Sequence, residues 1–413
     1  VTWLLRCSRE QDLDRLYFTS RDGYHLLPFA RGLRSVVGVN CDVEYLHLSR
    51  AALAAASMDP EKVESSWSNY EKPSGKELLA RIGLKYSDVE GYISSDEERE
   101  EILSDPITSR GRTIIKSIIS DINKSRYSAK KRSLIIRYLK KKGISKDLSF
   151  GVVDIGWKGT VHMFLNDMLM EEGVLCDPAK GFFFGLNEEQ QPYARHRQSY
   201  FFDKYRRKGV QDPIPRNSIS DVMEMFCTAP HGTVTGYAEE NGEVAPVFES
   251  QWTDRMEAWG LPVVERTLHT YLEGLVESPE LTDMKTDIRS SLSDLLQAFW
   301  MDPSPSETAA WGAFPMELGQ GEGSVQPLSE SYNELRAPFM FFKYGRRAAD
   351  VIKHERSWLE GALEQSSWWF RGSIQGALHG REALKYVLYG TARRLNIVEK
   401  LEKFTMWWIG DRG

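Results

Sequence analysis

At 413 residues the chain is long enough for two domains, or for one domain with large insertions. Its composition is globular, with 41% hydrophobic and 27% charged residues, and no run approaches the roughly 20 apolar residues of a membrane span; Phe339 to Phe342 is far too short. Four scattered cysteines without CxxC spacing exclude a zinc ribbon or a disulfide framework and point to a reducing cytosol. The net charge of −6 conceals an asymmetry. From Arg110 to Lys146 thirteen Lys or Arg face one acid, Asp121, a local charge of +12 that leaves −18 for the rest of the chain. A second basic cluster holds Arg195, His196 and Arg197, then Lys204, Arg206, Arg207 and Lys208. Such asymmetry points to a pyrophosphate or an anionic membrane surface; nucleic acid is disfavoured because no binding motif accompanies it.

In chain order, Leu16 to Thr19 reads as a strand ending in Ser20-Arg21-Asp22-Gly23, and the helical pattern from Tyr24 runs to about Leu33. Val43 to Leu48 is a second strand, ending in Ser49-Arg50 and passing into an Ala-rich helix from Ala51. Strand, loop, helix and strand within about 30 residues is the mark of a parallel βαβ unit. A helical stretch follows from roughly Pro60 to Leu148, with Ile115, Ile118, Ile119 and Ile122 on one face of a helix within Thr113 to Lys142. The sheet resumes at Phe150 to Asp154. A loop from Ile155 to Thr160 leads into a helix over Val161 to Glu172, and Gly181 to Phe184 is a further strand ending at Gly185-Leu186-Asn187. Beyond Phe248 the pattern is helical, interrupted by a Gly/Pro/Ser-rich loop from Pro303 to Pro327. The expected fold is α/β: a parallel-sheet core of βαβ units, with a helical, partly basic insertion (51–148), in a catalytic domain over 1–248. A helical region over 249–413 is expected to serve the acceptor.

In such sheets ligands bind outside the carboxyl ends of the strands, where parallel strands gather polar loops that lie far apart in sequence. Arg21 offers a fork of donors suited to pyrophosphate, and Gly23 is expected to supply a positive φ. Ser49 and Arg50 hold the equivalent place after the second strand. Asp154 can accept hydrogen bonds from vicinal ribose hydroxyls. Gly156 and Gly159 permit close backbone approach, and Lys158 with the amides at Thr160 can hold a phosphate at the helix start. Asp22, Glu224 and His231, the last within Ala229-Pro230-His231-Gly232-Thr233, are the acid–base candidates. Nine of the 12 Trp lie from Trp252 onward, a pattern more often found in helical cores than on sugar-stacking surfaces. The chain has no GxGxxG, GxxxxGK[ST], HExxH or GxSxG signature with a triad, and no Asp-x-Asp-x-Thr phosphatase loop.

Taken together, Leu16 to Tyr24, Tyr45 to Arg50, Val153 to Thr160 and Ala229 to Tyr237 resemble, in order and type, the glycan phosphoribosyltransferase domain of dual-domain bacterial ribofuranosyltransferases of surface-polysaccharide assembly. The resemblance spans about residues 10 to 240. It implies transfer of 5-phosphoribosyl from phosphoribosyl pyrophosphate to a lipid-linked glycan acceptor, with inversion. Magnesium is implied too, bound mainly through the donor pyrophosphate with Asp154 as a further ligand, as is a haloacid-dehalogenase-type phosphatase partner absent from this sequence. The charge of Arg110 to Lys146 is expected to hold the chain peripherally at the cytoplasmic face of the membrane, and the chain reads as a fragment of a longer protein. The alternatives are a sugar-nucleotide-dependent glycosyltransferase and a non-catalytic membrane-docked scaffold of a polysaccharide-assembly complex.

Overall fold

A computed structural model describes residues 1–57, 73–124, 126–187, 193–204, 208–209, 216–249, 252–278, 287–317, 325–331 and 358–367. The first elements are α1 (Thr2–Glu10), β1 (Arg15–Thr19), α2 (Leu26–Val36), β2 (Asp42–Leu46) and α3 (Arg50–Ser57). Helices α4 (Gly75–Arg81), α5 (Tyr86–Val89), α6 (Asp96–Leu103), α7 (Ser109–Lys124) and α8 (Arg126–Lys141) follow, then β3 (Phe150–Trp157), α9 (Thr160–Glu171), β4 (Lys180–Leu186), β5 (Arg197–Asp203) and β6 (Lys208–Gly209). Next come α10 (Arg216–Phe226), the hairpin β7 (Val234–Glu240) and β8 (Glu243–Phe248), α11 (Trp252–Trp259), α12 (Leu261–Glu277) and α13 (Arg289–Met301). Last are α14 (Pro305–Trp311), β9 (Pro315–Glu317), β10 (Val325–Pro327) and α15 (Leu359–Glu364).

The α/β expectation holds. The main sheet has the order β2-β1-β3-β4-β5-β6, with the first five strands parallel and β6 antiparallel at the edge. The order 2-1-3-4-5 is that of a doubly wound sheet, and alternation along β1 shows why both faces are covered. Tyr17 is buried against a core with Leu53, Leu139, Phe164 and Leu165 from α3, α8 and α9. Leu16 and Phe18 point the other way, into a core with Leu5, Leu27 and Leu33 of α1 and α2. Leu272 and Leu275 of α12 pack on that second core, so this compact unit continues well past residue 248. It comprises Val1–Leu296 with Pro315–Gln326, and the remainder forms a second unit. In that second unit Trp300 and Trp358 stack at 5.2 Å, and the Trp358 indole donates to the Trp300 carbonyl at 2.8 Å; these two aromatics fill a core.

Several local expectations change. Strand β3 runs on through Trp157, because Gly156 and Trp157 still pair with Gly185 and Leu186 of β4. Asp154 therefore lies within a strand, one residue beyond the last β1–β3 pair, Phe18 with Val153, and not at a strand tip. The single helix read within 113–142 is two, α7 and α8, with all four isoleucines buried. Residues 303–327 are not one loop: Ser304 and Glu307 form a reciprocal capping box that starts α14, and β9 pairs with β10. The basic run at Arg197 is strand β5, whose apolar signal is Tyr200-Phe201-Phe202. Hairpin β7–β8 turns on Asn241 (φ 51°) and Gly242 (φ 81°), the pair that a two-residue type I′ turn demands. Among the described residues no helix is long and apolar enough to cross a membrane; Phe339 to Phe342, Arg206 and Arg207 lie outside the described residues.

Candidate active site at the sheet switch point

The chain builds β2 on one side of β1 and β3 on the other, so the connections leave β1 and β3 in opposite directions and open a crevice at their carboxyl ends. On the β1 side, residues 20–24 form a tight turn across to the end of β2. The Ser20 amide donates to Leu46 O at 3.0 Å and its hydroxyl to Leu48 O at 2.8 Å, while Gly23 N donates to Thr19 O at 2.7 Å. Gly23 is not needed for a positive φ, which it lacks. It is needed for space: a Cβ there would stand 2.6 Å from Phe18 Cβ and 2.8 Å from the Phe18 carbonyl carbon.

That turn delivers Asp22 to β3. Its Oδ2 accepts from Ile155 N at 3.4 Å, and its carboxyl hydrogen-bonds that of Asp154, whose Oδ1 accepts from Gly156 N at 2.9 Å. Burial raises the pKa of both carboxyls. Asp22 rises further because Asp154 and Glu224 place negative charge beside it. Arg50, the first residue of α3, feels the charges of Glu224, Asp154 and Asp22. Burial nonetheless pulls its pKa down, and its buried Nε has no hydrogen-bond partner. Arg21 lies over the Trp252 ring at 4.3 Å, and that indole donates to Ala229 O at 2.9 Å. Glu224 stands exposed at the rim; Asp221, one helical turn before it on α10, is pushed up to about 8 by burial and by Glu224.

At the β3–α9 junction the backbone is left-handed at Gly156 (φ 112°), Trp157 (φ 67°) and Gly159 (φ 61°). At Gly156 a Cβ would lie 2.2 Å from Gly185 O, and Gly159 caps α9 with no side-chain bond to the helix amides. A left-handed residue followed by helical Thr160 turns successive N–H groups toward one point, and the helix dipole reinforces them. Arg197 secures this turn from beneath. Fully buried, it donates to Gly159 O at 2.8 Å, to Lys158 O at 3.4 Å and to His162 Nδ1 at 3.2 Å. Accepting at Nδ1 leaves His162 Nε2–H to donate to Ala179 O at 2.9 Å, and burial drops this imidazole's pKa to about 3. Arg197 also lies in the field of Asp154, which links the turn to the carboxyl pair.

Arg21, Asp22, Arg50, Asp154, Glu224 and His231 thus converge on one edge, with Lys158, Gly159 and Thr160 on its far side. Ser49 is otherwise engaged: its hydroxyl accepts from Ala52 N at 3.0 Å as the cap of α3 and donates to Val234 O at 2.5 Å. His231 Nδ1 bonds Gly232 O at 2.9 Å, so Nε2 accepts from the Tyr45 hydroxyl at 2.8 Å; burial lowers its pKa. Sequence reasoning missed Arg197, His162 and Trp252 as supports of the site. The aromatic run Tyr200-Phe201-Phe202 is the signal that could have placed Arg197 on a strand.

The long basic segment takes another form. Arg137 donates to Glu239 at 2.6 and 3.0 Å, Lys141 to Glu243 at 2.6 Å, Lys142 to Glu44 at 2.7 Å, Arg132 to Glu171 at 3.0 Å and Arg110 to Glu97 at 2.7 Å. No protein-family model matches this chain, and no curated protein is detectably similar to it.

Proposed function

We propose that the chain is a glycan phosphoribosyltransferase, moving 5-phosphoribosyl from phosphoribosyl pyrophosphate to a glycan hydroxyl with inversion. The observation that carries this reading is the carboxyl pair Asp22–Asp154, set with two arginines at the switch point beside an uncapped, left-handed helix start. Carboxylates suit ribose hydroxyls, arginines suit a departing pyrophosphate, and the amides at Gly159 and Thr160 suit the 5-phosphate. In the reaction the bond from ribose C1 to the pyrophosphate oxygen breaks and a bond from C1 to the acceptor oxygen forms. Pyrophosphate leaves with its charge held by Arg21 and Arg50, and the acceptor proton passes to a carboxylate.

Asp22 is assigned as that base. His231 already accepts from Tyr45 at its one open nitrogen, and Glu224 sits at the solvent rim, whereas Asp22 occupies the midline of the crevice. A carboxylate whose pKa is raised is the stronger base near neutrality. The residues present fit a magnesium ion carried on the donor. Asp22 and Asp154 face one another as oxygen ligands, while among the described residues no group of three or more His, Cys, Asp or Glu side chains could hold a metal unaided. Such an ion would neutralise charge on the pyrophosphate.

The sequence contains no Asp-x-Asp-x-Thr loop, so the product retains its 5-phosphate for a separate phosphatase to remove. Access to a lipid-linked acceptor is attributed to peripheral contact of exposed bases such as Lys130 and Lys140 with an anionic leaflet at the cytoplasmic face of the membrane. Incubation with phosphoribosyl pyrophosphate, Mg²⁺ and a synthetic glycan acceptor, followed by mass spectrometry, tests the reading. A pentose phosphate adduct supports it; an adduct of unphosphorylated pentose, or of a hexose from a sugar nucleotide instead, refutes it.

A further inference from the structure

On the opposite side of Asp22 from the phosphate turn, the crevice changes character. Four chain segments bring five rings together: Tyr24 from the turn after β1, Tyr45 and His47 from the end of β2, His231 from the loop before β7, and Phe248 at the end of β8. Their centroids lie 4.9 Å (Tyr45–His47), 5.3 Å (His47–His231), 4.9 Å (His231–Phe248), 5.3 Å (His47–Phe248) and 6.0 Å (Tyr24–Tyr45) apart. None is fully buried; Phe248 is 37% exposed and its neighbour Val247 42%. The cluster adjoins the reacting edge, since Tyr45 lies within the fields of Asp22 and Arg21, and His231 within that of Arg21.

We infer that this ring cluster is the acceptor subsite, a platform for a neutral pyranose ring of the glycan that receives the transferred group. The inference rests on the transferase reading above. A phosphate or carboxylate favours charged imidazoles, and here burial lowers the pKa of both, of His47 to about 4 with His231 beside it and of His231 with Arg21 beside it. A lipid chain or apolar helix needs aliphatic lining, whereas these rings alternate with hydrogen-bonding atoms. Tyr138 engages His47 Nδ1 at 3.3 Å and leaves Nε2 for a ligand, and the Tyr45 hydroxyl, donating to His231, keeps its lone pairs for a sugar hydroxyl. Tyr24 is turned to the rim by its hydrogen bond to Glu265 at 3.1 Å. Apolar C–H faces edged by hydroxyls are what a sugar ring presents, and half-exposed rings edged by hydroxyl and imidazole groups complement it. The crevice is then divided, with the phosphate turn on the β3 side, the ring platform on the β2 side and Asp22 between them.

The test is saturation-transfer NMR with a panel of methyl pyranosides and no donor, alongside calorimetry with phosphoribosyl pyrophosphate and Mg²⁺. At least one pyranoside is expected to receive saturation, with affinity falling about three- to tenfold in Phe248→Ser, the scale of one lost ring contact, and recovering in Phe248→Trp. Phe248→Leu keeps apolar bulk without a ring face; it is expected to fold as wild type and to lose the same affinity. Donor affinity is expected to stay unchanged in all three variants. No saturation of any pyranoside by the wild-type chain, or equal saturation in Phe248→Leu, overturns the platform. Loss of donor affinity in the variants overturns it as well, by assigning the rings to the donor. The two readings fail separately: pyranoside binding without donor binding removes the transferase reading alone, and donor binding without pyranoside binding removes the platform alone.

Discussion

Arg137 and Arg50 belong to two charged regions that solve the same problem differently. On α8, Arg137 makes a bidentate pair with Glu239 in solvent, and its neighbours Arg132, Lys141 and Lys142 likewise find carboxylates on α9, β8 and β2. In the crevice, Arg50 stands in the field of three carboxylates yet keeps its buried Nε without a hydrogen bond, and two aspartates lie carboxyl to carboxyl with burial raising the pKa of both. Exposed pairs in high dielectric contribute little, whereas a buried polar group left without a partner is costly. Part of the larger accumulation of charge is thus paired within the fold, whereas the smaller one keeps a buried donor without a hydrogen bond.

The sharpest way to break this contrast is Asp154→Asn. The amide oxygen can still accept from Gly156 N, so folding is expected to survive, while transfer falls by at least about a hundredfold, near 2.7 kcal/mol in barrier. Turnover within about threefold of wild type would remove Asp154 from the donor site. Next in size is Arg50→Ala, expected to raise the donor Kd by about ten- to a hundredfold, the scale of one charge-assisted contact, with glycan affinity unchanged. The reverse pattern would place the arginine on the acceptor side.

The carboxyls also make a pH prediction. Asp221 has its pKa raised from 3.8 to about 8 in the folded chain, so between those values the folded state holds a proton that the unfolded state has released. Its contribution to stability is full below about pH 4 and is lost as pH rises toward 8. Asp22 acts in the same direction. Asp221→Asn is therefore expected to raise Tm at pH 8 relative to wild type and to flatten the fall of Tm across that window. A Tm–pH slope identical to wild type would contradict the burial of this carboxyl.

At the small end, Arg137→Ala is expected to leave Tm indistinguishable from wild type and donor affinity untouched. Lys130→Gln with Lys140→Gln should weaken co-sedimentation with anionic liposomes at low salt and have no effect at high salt, where screening shortens the reach of each charge. Equal sedimentation at both ionic strengths would end the membrane assignment.

Much of this was legible in the residues because parallel strands convert sequence order into position. Arg21-Asp22, Ser49-Arg50 and Asp154 each follow or end a hydrophobic run, and the register then brings them to one edge. What the residues hid depends on partners far away in sequence. Nothing around Ser49 reveals that Val234 takes its hydroxyl, and the basic character of Arg195 to Arg197 masks a strand whose arginine is fully buried under Gly159. Gly23 reads from sequence as a positive-φ turn residue, whereas its actual reason, close contact with Phe18, shows only in the packed turn. Two bases of the segment between Arg110 and Lys146, Arg137 and Lys141, find their acids in hairpin β7–β8, about 100 residues onward, which Asn241-Gly242 alone announces.

The most direct test of the central claim is calorimetric titration of phosphoribosyl pyrophosphate, beside several sugar nucleotides and each with Mg²⁺, into the wild-type chain, Asp154→Asn and Arg50→Ala. The account predicts saturable binding of phosphoribosyl pyrophosphate to the wild type, weakened in both variants, and no comparable binding of any sugar nucleotide. Preferred binding of a sugar nucleotide, or donor binding indifferent to both substitutions, would contradict it.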